Sequence, residues 1–230
     1  MNLNKLQLYI YGISIVFLAC IFLFIPSAHA DITTGLVSHW KFDEGSGTTA
    51  VDSSGNGRTG TLVNGPTWAT GQVGSALNFD GSNGYVSVSD FAPPSSITLE
   101  AWMYPAANTN NDSIILNKHN SEYDFRLEGL GQLVASAGGV GIVATNFNFY
   151  DSANINKWYH VVYTFDSTTD IQKLYRNGVE VGSGSNAGTI SNQATALWIG
   201  RHSQYDFGTF LGKLDEVRIY NRALSASEVL

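Results

Sequence analysis

Two apolar patterns divide the chain. From about Leu6 to Ile25 the residues are almost continuously apolar, preceded by one positive charge at Lys5 and with no acidic residue before Asp31. Beyond Gly35 the apolar residues fall into short alternating or β-prone runs separated by turn residues: Leu36 to Phe42, Ala76 to Phe79, Tyr85 to Val88, Ile97 to Tyr104, Ser113 to Asn117, Tyr123 to Leu127, Trp158 to Phe165, Ile171 to Arg176, Leu197 to Gly200 and Phe210 to Tyr220. Period-2 runs at such spacing, with no helical periodicity between them, predict an all-β fold: a two-sheet antiparallel β-sandwich or jelly roll. Asn177-Gly178, between Lys173–Arg176 and Val179–Val181, predicts a hairpin with a type I′ turn. The helical signal is confined to the end, where Ser225-Ala-Ser-Glu228 has the form of a capping box and Leu224 can pack against Val229.

The first apolar stretch has the layout of a secretory signal peptide. Pro26 interrupts it and Ser27-Ala28-His29-Ala30 supplies small residues for cleavage after Ala30, giving a signal peptide over 1–30 and one domain over 31–230. Two alternatives use the same stretch. An uncleaved anchor needs roughly 20 apolar residues, and a lipoprotein would acylate Cys20, although Ile21 to Ile25 after it are apolar. Cleavage predicts a secreted protein, extracellular, periplasmic or at the cell surface, with no membrane span. It also removes the single cysteine, so the mature domain relies on its core and not on disulfides.

Composition narrows the partners. The formal charge of −7 becomes −8 when Lys5 leaves, which argues against nucleic acid. Charged residues make up 13%, against roughly 25% in ordinary globular chains, and Gly, Ser, Thr, Asn and aromatics are abundant. Such a surface suits neutral, hydroxyl-rich ligands.

Six blocks, in order and spacing, resemble the laminin-G-like jelly rolls of the concanavalin A-like lectin and glucanase superfamily. They are Gly35-Leu-Val-Ser-His-Trp-Lys-Phe-Asp-Glu-Gly-Ser-Gly47, Asp52-Ser-Ser-Gly-Asn-Gly57, Ala76-Leu-Asn-Phe-Asp-Gly81, Ile97-Thr-Leu-Glu-Ala-Trp-Met-Tyr-Pro105, Trp158-Tyr-His-Val-Val-Tyr163 and Leu214-Asp-Glu-Val-Arg-Ile-Tyr-Asn-Arg-Ala-Leu-Ser225. The resemblance implies two face-to-face sheets with adjacent first and last strands and, in many members, a structural calcium ion near the joined termini. It implies no single activity, since such a fold carries lectins, adhesion domains and hydrolases.

Calcium takes six to eight oxygen ligands. The resemblance places Asp43, Asp52 and Asp215 first among them, with Glu44 and Asn56 beside them. Read from the residues alone, Asp52 to Gly57 is an ordinary Asx-type turn and the other acids are solvated strand ends, and the resemblance is what favours calcium. An EF-hand is excluded, because the twelfth position from Asp52 is Val63 and not Glu.

Sugar recognition joins an aromatic face to groups that read hydroxyls. Lys118 to Tyr123 and Arg201 to Phe207 carry both ingredients, which makes His119, Tyr123, Arg201 and Tyr205 the candidate ligand-binding residues; Trp40, Trp102, Trp158 and Trp198 read as core. Catalysis has a weaker footing. Glu122, Asp124 and Glu128 share one strand face; Glu122 and Glu128 lie about 20 Å apart, beyond the roughly 5 to 10 Å of glycoside hydrolysis, whereas Glu122 and Asp124, about 7 Å apart, fall within it. Arg126 between Asp124 and Glu128 points to ion pairing. The predicted function is a non-catalytic domain binding a polysaccharide or glycan, with a surface protein as alternative partner and a glycan-cleaving enzyme as the third reading.

Overall fold

The computed structural model describes residues 32–106, 112–119, 122–144, 147–185, 187–205 and 208–229. The expected signal peptide therefore lies outside the described residues. Among them every regular element is a strand: β1 Leu36–Trp40, β2 Thr49–Ala50, β3 Gly60–Val63, β4 Thr67–Thr70, β5 Ser75–Asp80, β6 Tyr85–Val88, β7 Ile97–Pro105 and β8 Ser113–Lys118. The chain continues with β9 Tyr123–Glu128, β10 Gln132–Ala137, β11 Val140–Ala144, β12 Tyr159–Asp166, β13 Ile171–Arg176, β14 Val179–Ser185, β15 Leu197–Ile199 and β16 Leu211–Tyr220.

The strands form two eight-stranded antiparallel sheets. The first runs β14-β13-β12-β7-β16-β5-β4, with β1 also paired to β16; the second runs β11-β10-β9-β8-β15-β6-β3-β2. First and last strands are thus neighbours, as the resemblance implied. Alternation explains which residues meet between the sheets. In β7, Leu99, Ala101 and Met103 are wholly buried and join Tyr163 and Phe165 of β12, Leu214 and Ile219 of β16, and Phe125 and Leu127 of β9. Trp40, Phe42 and Phe79 complete this core.

The other parity of each strand faces outward, and on the first sheet that face carries the charges. His39, Glu216, Arg218, Glu100 and His160 form one chain of contacts across β1, β16, β7 and β12. His39 Nε2 lies 2.7 Å from Glu216, Arg218 contacts Glu216, Arg218 Nη1 donates to Glu100 at 2.8 Å, and His160 Nε2 lies 3.0 Å from Glu100 Oε1. Glu100 is held below the usual carboxylate range because, although its burial acts the other way, the His160 hydrogen bond and the Arg218 charge outweigh it.

The predicted hairpin forms. Arg176 pairs with Val179 across a two-residue loop, and Asn177 and Gly178 have φ of 50° and 77°, the left-handed pair of a type I′ turn. Half of the capping box forms, as a turn without a following helix: Ser225 N–H and Oγ–H both donate to Glu228 Oε2 at 2.8 Å, while the Glu228 N–H donates to the Ser225 carbonyl and not to its hydroxyl. Leu224 and Val229 pack with Val162, Tyr175 and Tyr220, so the terminal turn covers an apolar patch on the outside of the first sheet.

Candidate ligand-binding groove

Each expected calcium ligand is accounted for, in two groups. Asp52 Oδ1 accepts the N–H of His39 at 3.0 Å and of Ser54 at 2.9 Å, and Oδ2 accepts that of Arg58 at 2.9 Å. These bonds hold its carboxyl below the ordinary range against the effect of burial. Asn56 Nδ2 donates to the carbonyls of Leu36 and Val37 at 3.1 and 3.0 Å. The Asp52–Arg58 segment is therefore a closed turn that clips onto β1. The second group surrounds the Gly71–Ser75 turn. Asp215 Oδ2 accepts N–H groups from Gln72 and Val73, each at 2.9 Å, and Asp43 Oδ1 accepts that of Ser75 at 2.9 Å. Glycine is required here: a Cβ on Gly71 would lie 2.6 Å from Asp215 Oδ2, and one on Gly74 2.1 Å from Asp43 Oδ1.

Among the described residues two buried carboxylate oxygens have no hydrogen-bond partner, Asp215 Oδ1 and Glu44 Oε2, while Glu44 Oε1 accepts Val51 N–H at 2.7 Å. Among the described residues no three His, Cys, Asp or Glu side chains converge as a metal centre. Asp215 and Glu44 thus each keep one unpartnered carboxylate oxygen, whereas both oxygens of Asp52 already hold backbone donors.

The expected ligand-binding residues lie on the second sheet. His119 N–H donates to Ser203 Oγ at 3.1 Å and Ser203 N–H to Asn117 Oδ1 at 3.0 Å, so the two polar loops do meet. Arg201 stands 5.8 Å from the ring centres of both Tyr85 and Trp198, which stack on each other at 4.0 Å. Tyr205 is 48% exposed, with its ring 4.8 Å from that of His202. Tyr123 is the correction. It is wholly buried in the core, because it shares parity with Phe125 and Leu127, and cannot touch a surface ligand.

His202 gives this rim a pH dependence. Burial holds its imidazole down to about 4, aided by the charges of Arg126 and His119, and its Nδ1 accepts Gln204 N–H at 3.1 Å. The folded protein thus refuses a proton that the unfolded chain takes up near pH 6.5, so this stability is complete above 6.5 and is lost as pH falls towards 4. Between pH 6.5 and 5.5 the wild type should lose about 1 kcal/mol that His202→Asn retains. Urea melts of both proteins across this range check it; parallel slopes would remove the assignment.

A second candidate, a groove, lies elsewhere, on the outside of the first sheet. It has a volume of about 670 Å3 and is lined by Gln72, Trp102, Tyr104, Asn156, Lys157, Trp158, His160, Asn177 and Gly178. Register builds its floor. Trp102 pairs with His160 across β7 and β12, with ring centres 5.2 Å apart, and one step along Tyr104 meets Trp158 at 5.4 Å. The I′ turn supplies one wall: Asn177 N–H donates to the His160 carbonyl at 2.8 Å and its Oδ1 accepts the His160 N–H at 2.9 Å. Asn156, at φ 59°, anchors the opposite wall by donating its N–H to the Pro105 carbonyl at 2.8 Å. Three tryptophans expected in the core, Trp102, Trp158 and Trp198, are only partly buried, whereas Trp40 is wholly buried.

The two acids at catalytic spacing, Glu122 and Asp124, have no open approach. Glu122 is 0% exposed and bonded to Lys118 Nζ at 2.5 Å, and Asp124 is 2% exposed and contacts Asn117 and Arg126.

No curated protein matches the chain by sequence. Solved structures do. Domain 4 of AbnA, a GH43 extracellular arabinanase from Geobacillus stearothermophilus in complex with arabinotriose, is 23% identical with a TM-score of 0.64, over 84% of this chain and 96% of that one. The binding domain of Paraclostridial Mosquitocidal Protein 1 is 22% identical with a TM-score of 0.67, and that of botulinum neurotoxin DC, in complex with rat synaptotagmin II, is 13% identical with a TM-score of 0.63. Each of these two alignments covers 86% of this chain and 51% of the other, so the chain spans about half the length of the toxin binding domains it matches. At such identity these likenesses establish the fold. Residues 80–230 match the family described as the concanavalin A-like lectin/glucanases superfamily, and with its paired sheets and adjoining first and last strands the chain belongs to that superfamily.

Proposed function

We propose that the chain is an exported, non-catalytic domain that binds a glycan in the groove on the outside of the first sheet. The observation that carries this reading is the half-buried aromatic floor of Trp102, Tyr104 and Trp158 walled by side-chain amides. An aromatic face packs on the C–H surface of a sugar ring, and amides read its hydroxyls. With Asn177 Oδ1 already bonded to His160, its Nδ2 hydrogens are the donors available for a hydroxyl. The similar arabinanase domain in complex with arabinotriose supports a sugar ligand. A glycan array probed with the wild type and with Trp102→Ala tests the reading. Signals lost in the variant support it, and a blank array with capture of a surface protein favours the protein-binding alternative.

A structural calcium ion belongs to the same proposal, with Asp215 and Glu44 as its candidate ligands, since one buried oxygen of each lacks a partner. Excess calcium should then raise the melting temperature by several degrees over chelator, since a ligand that binds only the folded state stabilises it by mass action. Identical melts would remove the ion and leave the glycan reading intact.

A further inference from the structure

The groove's charge is opposite to that of the chain. The protein carries a formal charge of −7, yet no carboxylate lines the groove. The acids nearest in the strand register are closed off from it. Glu100 is 8% exposed and held between Arg218 and His160, while Asp215 is 0% exposed beneath the Gln72 and Val73 amides.

Two lysines flank the aromatic floor. Lys157 lines the groove next to Trp158, its Nζ donating to the Ala153 carbonyl at 2.6 Å. Lys213 pairs with Tyr104 in the β16–β7 register, and its Nζ lies 5.1 Å from the Tyr104 ring centre and 3.4 Å from the Thr70 carbonyl. Among the described residues neither lysine has a carboxylate within ion-pair distance, whereas Lys118, Arg126, Lys173, Arg218 and Arg222 all do. An isolated surface lysine signifies little. Lys213 stands against the Tyr104 ring and Lys157 precedes Trp158 in the groove lining, so each ring of the Tyr104–Trp158 pair has a lysine beside it and a sugar stacked on the pair would lie near both.

We propose that the groove selects anionic glycans, chains bearing uronate carboxylates, over their neutral counterparts. This rests on the reading of the groove as a glycan site and replaces the composition-based expectation of a neutral ligand. Exposed charge pairs contribute modestly, so two of them amount to roughly a tenfold preference that salt screens.

The experiment measures binding of polygalacturonate, alginate and glucuronoxylan, each against its carboxyl-reduced neutral form, with polyglutamate as a sugar-free polyanion. Titrations are run in dilute buffer and at about 0.5 M salt, where screening shortens to a few ångströms. At least one polyuronate should bind about tenfold more tightly than its reduced form in dilute buffer, with the difference collapsing in salt. The double variant Lys157→Gln/Lys213→Gln should bind both forms equally, at the wild-type affinity for the reduced form. Equal wild-type affinity for acid and reduced forms, or a preference that survives the double variant, overturns the proposal. Polyglutamate binding as tight as that of the polyuronate also overturns it, by showing a charge patch that reads no sugar. Neutral glycans bound alone would sink the selectivity while the glycan reading stands, and no glycan bound at all would sink both.

Discussion

Trp102→Ala should weaken glycan binding by about thirtyfold or more while leaving the fold intact. Removing a central aromatic anchor from a binding site typically costs 2 kcal/mol or more, and each 1.4 kcal/mol is tenfold in affinity. Trp102 is such an anchor: it stands on the groove floor against His160, with Tyr104 and Trp158 forming the next pair along the strands. Its outward position limits the structural cost. Leu99, Ala101 and Met103 keep the inner face of β7 unchanged, and Glu100 still joins Arg218 and His160, so the variant should lose no more than about 1 kcal/mol of stability. Isothermal titration with an array-identified glycan, beside a thermal melt, separates the two effects. Tyr205→Ala and Arg201→Ala are the counterpart, since both residues lie on the rim of the other sheet. Binding lost in these and retained in Trp102→Ala would move the site to that rim.

The sandwich is legible in the sequence because burial on one face imposes alternation, and ten runs of it leave little choice of class. The site was harder to read, because an indole counts as apolar whichever way it faces. Trp102 and Trp158 sit in apolar runs and so read as core, yet the parity was available. In Ile97-Thr-Leu-Glu-Ala-Trp-Met-Tyr, charged Glu100 marks the outward set, and Trp102 and Tyr104 share its parity. The same rule would have moved Tyr123 inward with Phe125 and Leu127. What sequence could not give is the neighbour across the sheet: the Trp102–His160 and Lys213–Tyr104 rows depend on registers between segments far apart in the chain. The metal question is ambiguous for another reason. An Asx turn and a calcium loop use the same residue types, and only geometry reveals that three backbone N–H groups already bond to Asp52.

Lys118→Met should destabilise the protein by about 3 kcal/mol, and adding Glu122→Leu should restore most of the loss. Both side chains are 0% exposed, and the ammonium contacts Glu122 at 2.5 Å and the partly exposed Asp90 at 2.9 Å. Without Lys118, the Glu122 carboxylate keeps the Gln193 N–H, at 2.8 Å, as its hydrogen-bond donor among the described residues. Breaking a buried ion pair on one side costs about 3–5 kcal/mol, whereas replacing both partners with apolar groups is often neutral. Chemical denaturation should place the single variant below both the wild type and the double variant. The double variant also bears on the glycan-cleaving alternative, because Glu122 is the first acid of the one spacing that suits hydrolysis, Glu122 to Asp124. A buried structural carboxylate predicts undiminished glycan binding in the double variant and no reducing-sugar release from bound polysaccharide by the wild type. Release that disappears with Glu122→Gln would make this pair catalytic and overturn the binding-only reading.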